Sequence, residues 1–387
     1  MKNKITIGIF IDTYFPMIDG VVMVVHNYAK RLKKYANVIV FAPNVDKTFN
    51  DKNIEYPIVR CKSIKVPFLD YSLPLPNLDN KFKQIVKQYK LDIVHIHSPA
   101  TLGILGINYA KKNNIPVIGT MHSQYKKDIK RAIKSELISN LITKKITNIY
   151  NKCDEVWTVN EEVARIFKEE YKYKKNPRIM YNATEMTKVK DKEKADDTIN
   201  KIHNLNKDEK ILLFVGRINK LKNIFFIIDA LKILEKKNFK YKMIFIGNGQ
   251  DEEELKKYIK EKKVKNVILC GKVTDRKLLS YYYQRAHLFL FPSLYDCSSI
   301  VQIEAASQNT PGLFLKEAAT ANTIKNNVNG FLSENNPNSY AKRIIEILDN
   351  EELYNKVSKN AYKDLYKNWD DIVKEVYSLY LKIIKEK

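Results

Sequence analysis

The sequence predicts an α/β fold made of two Rossmann-like, doubly wound domains. The chain has 387 residues, which is longer than a single hydrophobic core usually grows. Short apolar runs alternate with amphipathic segments, as expected for parallel strands joined by crossover helices. A polar stretch of alternating charge follows Asn182, and the strand and helix pattern restarts after it. We therefore expect one domain on each side of this stretch.

The first half begins with an apolar run that is short and is broken by Asp12, so it predicts a first buried strand and not a signal peptide. Runs of this kind predict strands at 4–11, 37–42, 57–61, 92–96, 115–120, 154–159 and 178–181. Segments with helical apolar spacing predict helices near 21–35, 80–89, 101–113, 124–151 and 160–168.

The second half repeats this pattern. Strands are predicted at 210–216, 242–247, 266–270, 287–291 and 311–315. Helices are predicted at 222–236, 250–263, 275–284, 300–308, 337–348 and 350–364, with a last amphipathic helix from about Trp369 to Ile384. The predicted domains are residues 1–190 and 191–365, followed by a terminal helix over 366–387.

The composition is strongly basic, because 68 Lys and Arg against 44 Asp and Glu give a formal charge of +24. Such a field attracts anionic lipid, phosphorylated ligands or nucleic acid, and composition alone does not choose among them. The four cysteines are scattered without metal-ligand spacing, so we expect no disulfide framework, no zinc site and a reducing, cytoplasmic compartment. No apolar run reaches the length of a membrane span.

Asp296 and Glu304 are two carboxylates in the segment FPSLYDCSSIVQIEAAS. A strand at 288–291, a turn and a helix from residue 300 would place both along the carboxyl edge of a parallel sheet, where open α/β folds bind ligands. At 1.5 Å rise per helical residue the pair spans about 10 Å, which suits an extended ligand better than joint action on one bond. The alternative is a solvated turn Asp and a helix-surface Glu.

Two other strand-to-helix turns contain groups suited to a phosphate. FVGRINKLKN (214–223) places Gly216, Arg217 and Lys222 beside a helix start, where backbone N–H groups and the helix dipole add to the side-chain charge. The alternative is an ordinary solvated Arg and Lys. In IGNGQDEEELKKYIK (246–260), the glycines on either side of Asn248 let the backbone approach a ligand or simply make the turn.

Three histidines fall at neighbouring strand ends in the first half, and a glycine precedes its first helix. HIHSPATLG (95–103) contains His95 and His97, and IGTMHSQYKKDI (118–129) contains His122. A strand-end histidine is more often structural, but their grouping makes His122 a candidate for the site. Gly20 in DTYFPMIDGVV (12–22) follows Asp19 in a tight turn that can meet a phosphate.

Residues 124–152 contain eight Lys or Arg against two acids. Apolar residues fall on one face at helical spacing, and the clustered cations lie mostly elsewhere, at Lys126, Lys127, Lys130, Arg131 and Lys134. Basic amphipathic helices bind anionic membrane surfaces. A crossover helix packed on a sheet shows the same apolar stripe, so both interpretations stay open.

In their order and spacing these segments resemble the family 4 glycosyltransferases, which are retaining enzymes of the GT-B fold. The resemblance covers nearly the whole chain, through DGVV, TMHSQ, VGRINKLKN, IGNG, FPSLYD and EAAS. It implies two Rossmann-like domains that face each other across a cleft, with the helix near Trp369 crossing back to the first domain. It also implies transfer of a hexose from a nucleotide sugar, UDP-glucose or another UDP-hexose, without a metal or another cofactor.

The resemblance also implies roles for individual residues. Arg217 and Lys222 would clasp the diphosphate, and Glu304 would bind the ribose hydroxyls. Asp296 would hold a sugar hydroxyl, His122 would lie beside the sugar, and Gly20 would lie near the phosphate. The implied catalytic residues are His122, Arg217, Lys222 and Asp296, and the other implied donor-binding residues are Gly216, Asn248, Gly249, Ser298, Ser299 and Ile300.

The sequence departs from the family pattern at three places. Asp296 stands where the family has Glu, and CSS (297–299) replaces glycines that let backbone amides approach the donor. Asn182-Ala183 replaces Asn-Gly at the domain junction. These departures leave the donor sugar open, together with the possibility of weak or altered activity.

The basic cluster and the apolar stretch VPFLDYSLPLPN (66–77) resemble the membrane-docking region of bacterial diacylglycerol glucosyltransferases. This implies a cytoplasmic enzyme, peripheral on the inner membrane face, whose acceptor is a lipid or a lipid-linked glycan and which has no nucleic-acid partner. The alternatives are a soluble-acceptor or polysaccharide glycosyltransferase, a nucleotide-sugar epimerase of the same fold, and a basic binding protein with an inactive site.

Overall fold

The computed structural model describes residues 4–46, 48–65 and 72–387. The chain forms two compact units: the first is Met1–Asn182 together with Trp369–Lys387, and the second is Ala183–Asn368. The sequence placed the division at residue 190. Residues after Asn182 belong with the second unit because Thr184 bridges to Asn368, and the Val189 N–H donates to Oε1 of Gln308 at 2.8 Å.

The first unit is a seven-stranded parallel sheet in the order β3-β2-β1-β6-β7-β8-β9, with a small antiparallel ribbon of β4 and β5. Its strands are β1 (Thr6–Phe10), β2 (Asn37–Pro43), β3 (Ile58–Cys61), β4 (Ser63–Lys65), β5 (Ser72–Pro74), β6 (Ile93–Ile96), β7 (Val117–Met121), β8 (Glu155–Thr158) and β9 (Arg178–Ile179). Its first six helices are α1 (Gly20–Leu32), α2 (Asn80–Gln88), α3 (Thr101–Lys112), α4 (Tyr125–Ile133), α5 (Glu136–Tyr150) and α6 (Glu161–Glu169).

The second unit is a six-stranded parallel sheet in the order β12-β11-β10-β13-β14-β15. Its strands are β10 (Ile211–Val215), β11 (Lys242–Ile246), β12 (Val267–Leu269), β13 (Leu288–Phe291), β14 (Gly312–Leu315) and β15 (Phe331–Ser333). Its helices are α7 (Lys192–His203), α8 (Ile224–Lys236), α9 (Glu252–Lys262), α10 (Arg276–Arg285), α11 (Ile300–Ser307), α12 (Pro337–Asp349) and α13 (Glu351–Leu365). The predicted fold class, two parallel α/β sheets, is therefore confirmed.

The predicted helix over 124–151 is wrong in one respect, because the chain forms two helices there. Lys134 adopts a left-handed conformation (φ 55°, ψ 23°) that ends α4. Ser135 then caps α5, and its hydroxyl accepts a hydrogen bond from the Ile138 N–H at 3.4 Å. A residue with the short polar side chain that favours helix starts thus begins a second helix.

The polar stretch after Asn182 was predicted to be the domain boundary, with no helix assigned to it, and it contains α7. Only two residues of α7 are buried, Ala195 and Ile199, so its sequence shows little apolar periodicity. The segment is held instead by Arg285, which donates to Oδ1 of Asn200 at 2.7 Å and to three backbone carbonyls of the following turn. Because these hydrogen bonds come from a residue far along the chain, the local hydrophobic pattern did not predict α7.

The last helix, α14 (Trp369–Glu386), belongs to the first unit and packs on α1. Tyr377 stacks on Tyr35 with ring centroids 5.3 Å apart, and Asp370 pairs with Lys34 at 3.3 Å. Within the described part of the chain, no helix is long and apolar enough to cross a membrane.

A buried polar cluster lies between the first sheet and α14. Tyr380 of α14 hydrogen-bonds Nδ1 of His95 at 2.5 Å, and Nε2 of His95 hydrogen-bonds the Thr120 hydroxyl at 2.6 Å. Beside it, Nδ1 of His97 hydrogen-bonds Nε2 of His122 at 3.0 Å. Burial lowers the pKa of His122 to about 3. Burial also lowers the pKa values of His95 and His97 well below the usual range, and the neighbouring imidazoles lower them further. The three imidazoles are therefore neutral at pH 7.

This cluster predicts that acid destabilises the protein. Between the unfolded pKa of about 6.5 and the folded pKa, a histidine binds a proton only when the chain is unfolded, so stability falls as pH falls, by about 1.4 kcal/mol per pH unit for each histidine. For His122 this window extends from about pH 6.5 down to about pH 3. Urea denaturation at pH 7, 6 and 5 should show a shallower pH slope in His122→Gln than in the wild type. An unchanged slope would contradict a neutral, buried His122.

Candidate functional site

The loops that follow β10 and β11 are in direct backbone contact at the carboxyl edge of the second sheet. The Gly216 N–H donates to the Ile246 carbonyl at 2.9 Å. A Cβ atom on Gly247, whose φ is +136°, would lie 1.9 Å from the Gly216 oxygen. A Cβ atom on Gly249 would lie 2.2 Å from the Ile218 oxygen. These two glycines therefore allow one loop to approach the other closely, which neither interpretation included, and approach of the backbone to a ligand stays a prediction.

Lys222 and Asp296 form an ion pair that joins the loop after β10 to the loop after β13. Lys222 Nζ lies 2.5 Å from Oδ1 of Asp296, and the two side chains are only 19% and 16% exposed. Lys222 also lies over the Phe291 ring, 5.7 Å from its centroid. The other oxygen, Oδ2 of Asp296, is buried and has no hydrogen-bond partner among the described residues. Asp296 thus has a hydrogen-bond acceptor, Oδ2, that is unused by the described residues at this edge of the sheet.

Lys222 occupies a different local element from the predicted one. It ends a 3-10 turn (Lys220–Lys222) capped by Asn219, whose side chain accepts from the Lys222 N–H at 3.2 Å. Asn223 then takes a left-handed conformation (φ 58°), so α8 begins at Ile224 and not at residue 222. The side chains of Arg217 and Asn248 are exposed on the two neighbouring loops.

Glu304 lies in the second turn of α11, and only 3% of the residue is exposed. Arg276 Nη2 donates to its Oε1 at 2.5 Å, and the Tyr283 hydroxyl donates to its Oε2 at 3.0 Å. Burial raises the pKa of Tyr283 well above its usual range, and the Glu304 carboxylate raises it further. For Arg276, burial acts to lower the pKa, but the Glu304 carboxylate outweighs it and the pKa is raised. The alternative of a solvated, helix-surface Glu is excluded.

The start of α11 presents the residues that replace the family's glycines. Ser299 is the N-cap of α11 and is 8% exposed, but its side chain makes no capping hydrogen bond. Ser298 and Ile300 on either side of it are half-buried. The first backbone N–H groups of a helix have no partner within the helix, so this end is suited to an anion.

The predicted residues of the first unit lie at two different places in its structure. His122 follows β7, is 9% exposed and is hydrogen-bonded to His97. Gly20 is the first residue of α1, after the N-cap Asp19, and is exposed. No described atom lies within 4 Å of a Cβ built on Gly20, so packing within the described chain does not require a glycine there.

Some apolar residues of α4 and α5 are exposed, whereas others, such as Ile129 and Ile142, are half-buried. Leu137 is 72% exposed, Leu141 is 55% exposed and Ile133 is 41% exposed. The buried face of α5 is instead formed by Ser139, Thr143, Thr147 and Tyr150. The three hydroxyls donate to backbone carbonyls one turn earlier, at 2.6–2.9 Å. The apolar stripe therefore does not pack on the sheet, as a crossover helix would.

The cations of this surface are partly neutralised. Lys126 and Lys130 pair with Glu136 at 3.0 and 2.6 Å, and Arg131 pairs with Asp128 at 3.4 Å. Lys127 and Lys134 are exposed. Of the predicted docking stretch 66–77, residues 66–71 lie outside the described residues, whereas the flanking ribbon exposes Ile64 (58%) and Leu73 (50%).

Sequence reasoning missed two residues of the second unit, Arg276 and Tyr283. They lie 28 and 21 positions before Glu304 along the chain, and no local motif joins them to it. Residues 4–46, 48–65 and 72–387 contain no group of three or more His, Cys, Asp or Glu that could hold a metal ion. Independence from metal stays a prediction.

Comparison with characterised proteins finds similarity along the whole chain. Alpha-monoglucosyldiacylglycerol synthase of Acholeplasma laidlawii is 28% identical over 92% of this chain and 91% of its own length. The enzyme of the same name from Streptococcus pneumoniae is 27% identical over 79% of this chain and 70% of its own length.

Solved structures show the same fold at lower identity. Sucrose-phosphate synthase from Thermosynechococcus elongatus superposes with a TM-score of 0.79 at 19% identity, covering 99% of this chain and 100% of that one. Anabaena HepE in complex with UDP-glucose superposes with a TM-score of 0.76 at 14% identity, covering 97% and 99%.

Two family models match successive parts of the sequence. The model described as Glycosyltransferase Family 4 matches residues 18–188, and the model described as Glycosyl transferases group 1 matches residues 195–364. Together they contain every strand of the two sheets except β1, and they leave out residues 1–17, 189–194 and 365–387. The chain therefore belongs to the family 4, group 1 glycosyltransferases and has the GT-B fold.

Proposed function

We propose that this glycosyltransferase moves a hexose from a UDP-sugar, with retention, to a hydroxyl of a lipid or lipid-linked glycan at an anionic membrane surface. Transfer of a sugar from a nucleotide sugar follows from the family. The identity of the donor, the residues that act on it and the acceptor are the proposed parts. The observation that carries the donor side is the Lys222–Asp296 pair at the carboxyl ends of β10 and β13.

We propose that the donor diphosphate binds Arg217, Lys222 and the first backbone N–H groups of α11. Departure of a nucleoside diphosphate builds negative charge on its β-phosphate, and fixed cations and helix N–H groups stabilise that charge in the transition state. Lys222 is held in place by Asp296 and Phe291, so little reorganisation is needed during the reaction. Anabaena HepE was solved with UDP-glucose, which supports a UDP-hexose donor here.

Asp296 and Glu304 would have separate tasks. Glu304 would accept hydrogen bonds from the ribose hydroxyls, because each carboxylate oxygen can accept more than the single bond that Arg276 or Tyr283 now donates. The unpaired Oδ2 of Asp296 would accept from a sugar hydroxyl. His122 would lie beside the sugar, with Gly20 near the phosphate. Neither carboxylate is needed as a nucleophile, because the departing phosphate oxygen can take the acceptor proton on the face that it leaves.

Replacing Lys222 tests the donor side. Lys222→Met should lower kcat/KM for UDP-glucose about 100-fold, equivalent to about 3 kcal/mol, because a group that stabilises the leaving phosphate is lost. Lys220 is the matched control, because it lies in the same 3-10 turn but pairs with the exposed Glu254 at 2.7 Å. Lys220→Met should stay within about twofold of the wild type. UDP release is the measurement, and equal effects of the two substitutions would contradict the assignment.

The acceptor side rests on the surface of α4 and α5, which we call the docking surface: Lys127, Ile133, Lys134, Leu137 and Leu141. Exposed apolar side chains beside cations match the boundary of an anionic bilayer, where burial of the apolar groups adds to attraction of the lysines. The relatives' name, alpha-monoglucosyldiacylglycerol synthase, supports a lipid acceptor. We propose peripheral attachment to the inner face of the cell membrane.

Sedimentation with anionic liposomes at low salt tests the docking surface. A variant with Leu137→Gln, Leu141→Gln, Lys127→Glu and Lys134→Glu should bind at least roughly tenfold more weakly, since both apolar burial and charge attraction are lost. The matched control carries the same changes on the second unit, at Ile202, Val328, Lys359 and Lys363, all of which are exposed. If both variants bind the liposomes equally weakly, the loss is caused by net charge alone, and the docking surface is contradicted.

A further inference from the structure

Gln124 is a buried side chain whose amide has no partner among the described residues. It follows β7 by three residues, precedes α4 and is only 4% exposed. Both Nε2 and Oε1 are inaccessible, and neither is hydrogen-bonded within the described chain. Most buried polar groups in native proteins have a partner, so an amide that lacks two requires an explanation.

Capping of the neighbouring helix does not explain this amide. Gln124 occupies the N-cap position of α4, but its side chain makes no capping hydrogen bond. The other polar N-caps of the same unit do make one, namely Asp19, Asp79, Ser135 and Asn160. The backbone carbonyl of Gln124 accepts from the Lys127 N–H at 2.9 Å, so only the side chain is unused.

The protein satisfies its other buried glutamines. Gln308 donates from Nε2 to the Thr187 carbonyl at 2.9 Å and accepts at Oε1 from the Val189 N–H at 2.8 Å. Gln302 donates from Nε2 to the Thr323 hydroxyl at 3.0 Å. Among the described residues, Oε1 of Gln284 and Oδ1 of Asn309 are also buried without a partner, but Gln124 is the one side chain with both ends of its amide unpaired.

A second unpaired polar atom lies at the end of the adjacent strand. Nε2 of His97 is buried and has no hydrogen-bond partner in the described residues, although its Nδ1 bonds Nε2 of His122 at 3.0 Å. β6 and β7 are parallel neighbours, with Ile96 paired to Gly119. Their carboxyl ends therefore bring His97, His122 and Gln124 to the same edge of the sheet.

The chemistry of these groups selects a neutral polar ligand. The histidines are neutral because burial lowers their pKa, so this edge offers no imidazolium to a phosphate. An amide presents both a donor and an acceptor, and a hydroxyl needs both. A sugar hydroxyl meets this requirement, and the family's reaction supplies one from the donor hexose or from a hydroxylated acceptor.

We propose that Gln124, together with the His97–His122 pair, binds a sugar or acceptor hydroxyl, so that its amide is satisfied only in the substrate complex. The inference rests on the proposed function and adds to it a binding role for Gln124, the last residue of the TMHSQ segment, to which the resemblance assigns no role. Leaving the amide unpaired lowers the stability of the free protein. Its retention would be explained by substrate recognition.

Gln124→Met separates binding from structure, because it keeps the side-chain length and removes the unpaired amide. We expect a melting temperature equal to or above that of the wild type and a kcat/KM at least tenfold lower. Gln308→Met is the matched control: both ends of its amide are bonded, so its melting temperature should fall. Gln124→Leu, measured in the same way, replaces Gln124→Met if the latter does not fold.

Two activity measurements identify the source of the hydroxyl. If hydrolysis of UDP-glucose without acceptor falls together with transfer, Gln124 binds the donor hexose. If only transfer to diacylglycerol in anionic vesicles falls, it binds the acceptor. Wild-type kcat/KM in both measurements would overturn the inference alone, and would leave an ordered water as the partner of the amide. A wild-type chain that turns over no UDP-hexose would overturn the proposed function and this inference together.

Discussion

The direction of the strands is the constraint on which the site depends. Every strand in each large sheet runs parallel to its neighbours, so the carboxyl ends of all strands meet at one edge of that sheet. Loops from distant parts of the sequence are thereby forced together. In the second sheet this brings the loop after β10 against those after β11 and β13, and joins Lys222 to Asp296. In the first sheet it brings His97 to His122.

In the second unit, cations pair with the buried carboxylate of Glu304 and with the half-buried carboxylate of Asp296 before any ligand is present. Lys222 pairs with Asp296, and Arg276 pairs with Glu304 while Tyr283 donates to the other oxygen. A carboxylate of low exposure is costly unless it is paired and hydrogen-bonded, so these contacts offset the cost of removing the two carboxylates from water. They also fix the positions of groups that the reaction would use. Structure and proposed chemistry thus depend on the same side chains.

Much of this architecture could be predicted from the sequence, because strands buried on both faces are continuous apolar runs and turns are marked by glycine and proline. Hydrophobic periodicity did not predict the structure correctly where a helix is held by tertiary contacts and not by an apolar face. It missed α7, which buries only Ala195 and Ile199, and it did not show that α5 buries hydroxyls and exposes leucines. Arg276 could not be joined to Glu304, since 28 residues separate them. The family motifs predicted Lys222 and Asp296 as site residues, but did not predict that these two side chains pair with each other.

The most direct test of the account is the anomeric configuration of the product. The protein would be incubated with UDP-glucose and anionic vesicles containing diacylglycerol, and the lipid product would be examined by proton NMR. The account predicts an α-glucoside, because the acceptor attacks the face that the diphosphate leaves. A β-glucoside would contradict retention, and the absence of both UDP release and glycolipid with every UDP-hexose would contradict the proposed donor and acceptor.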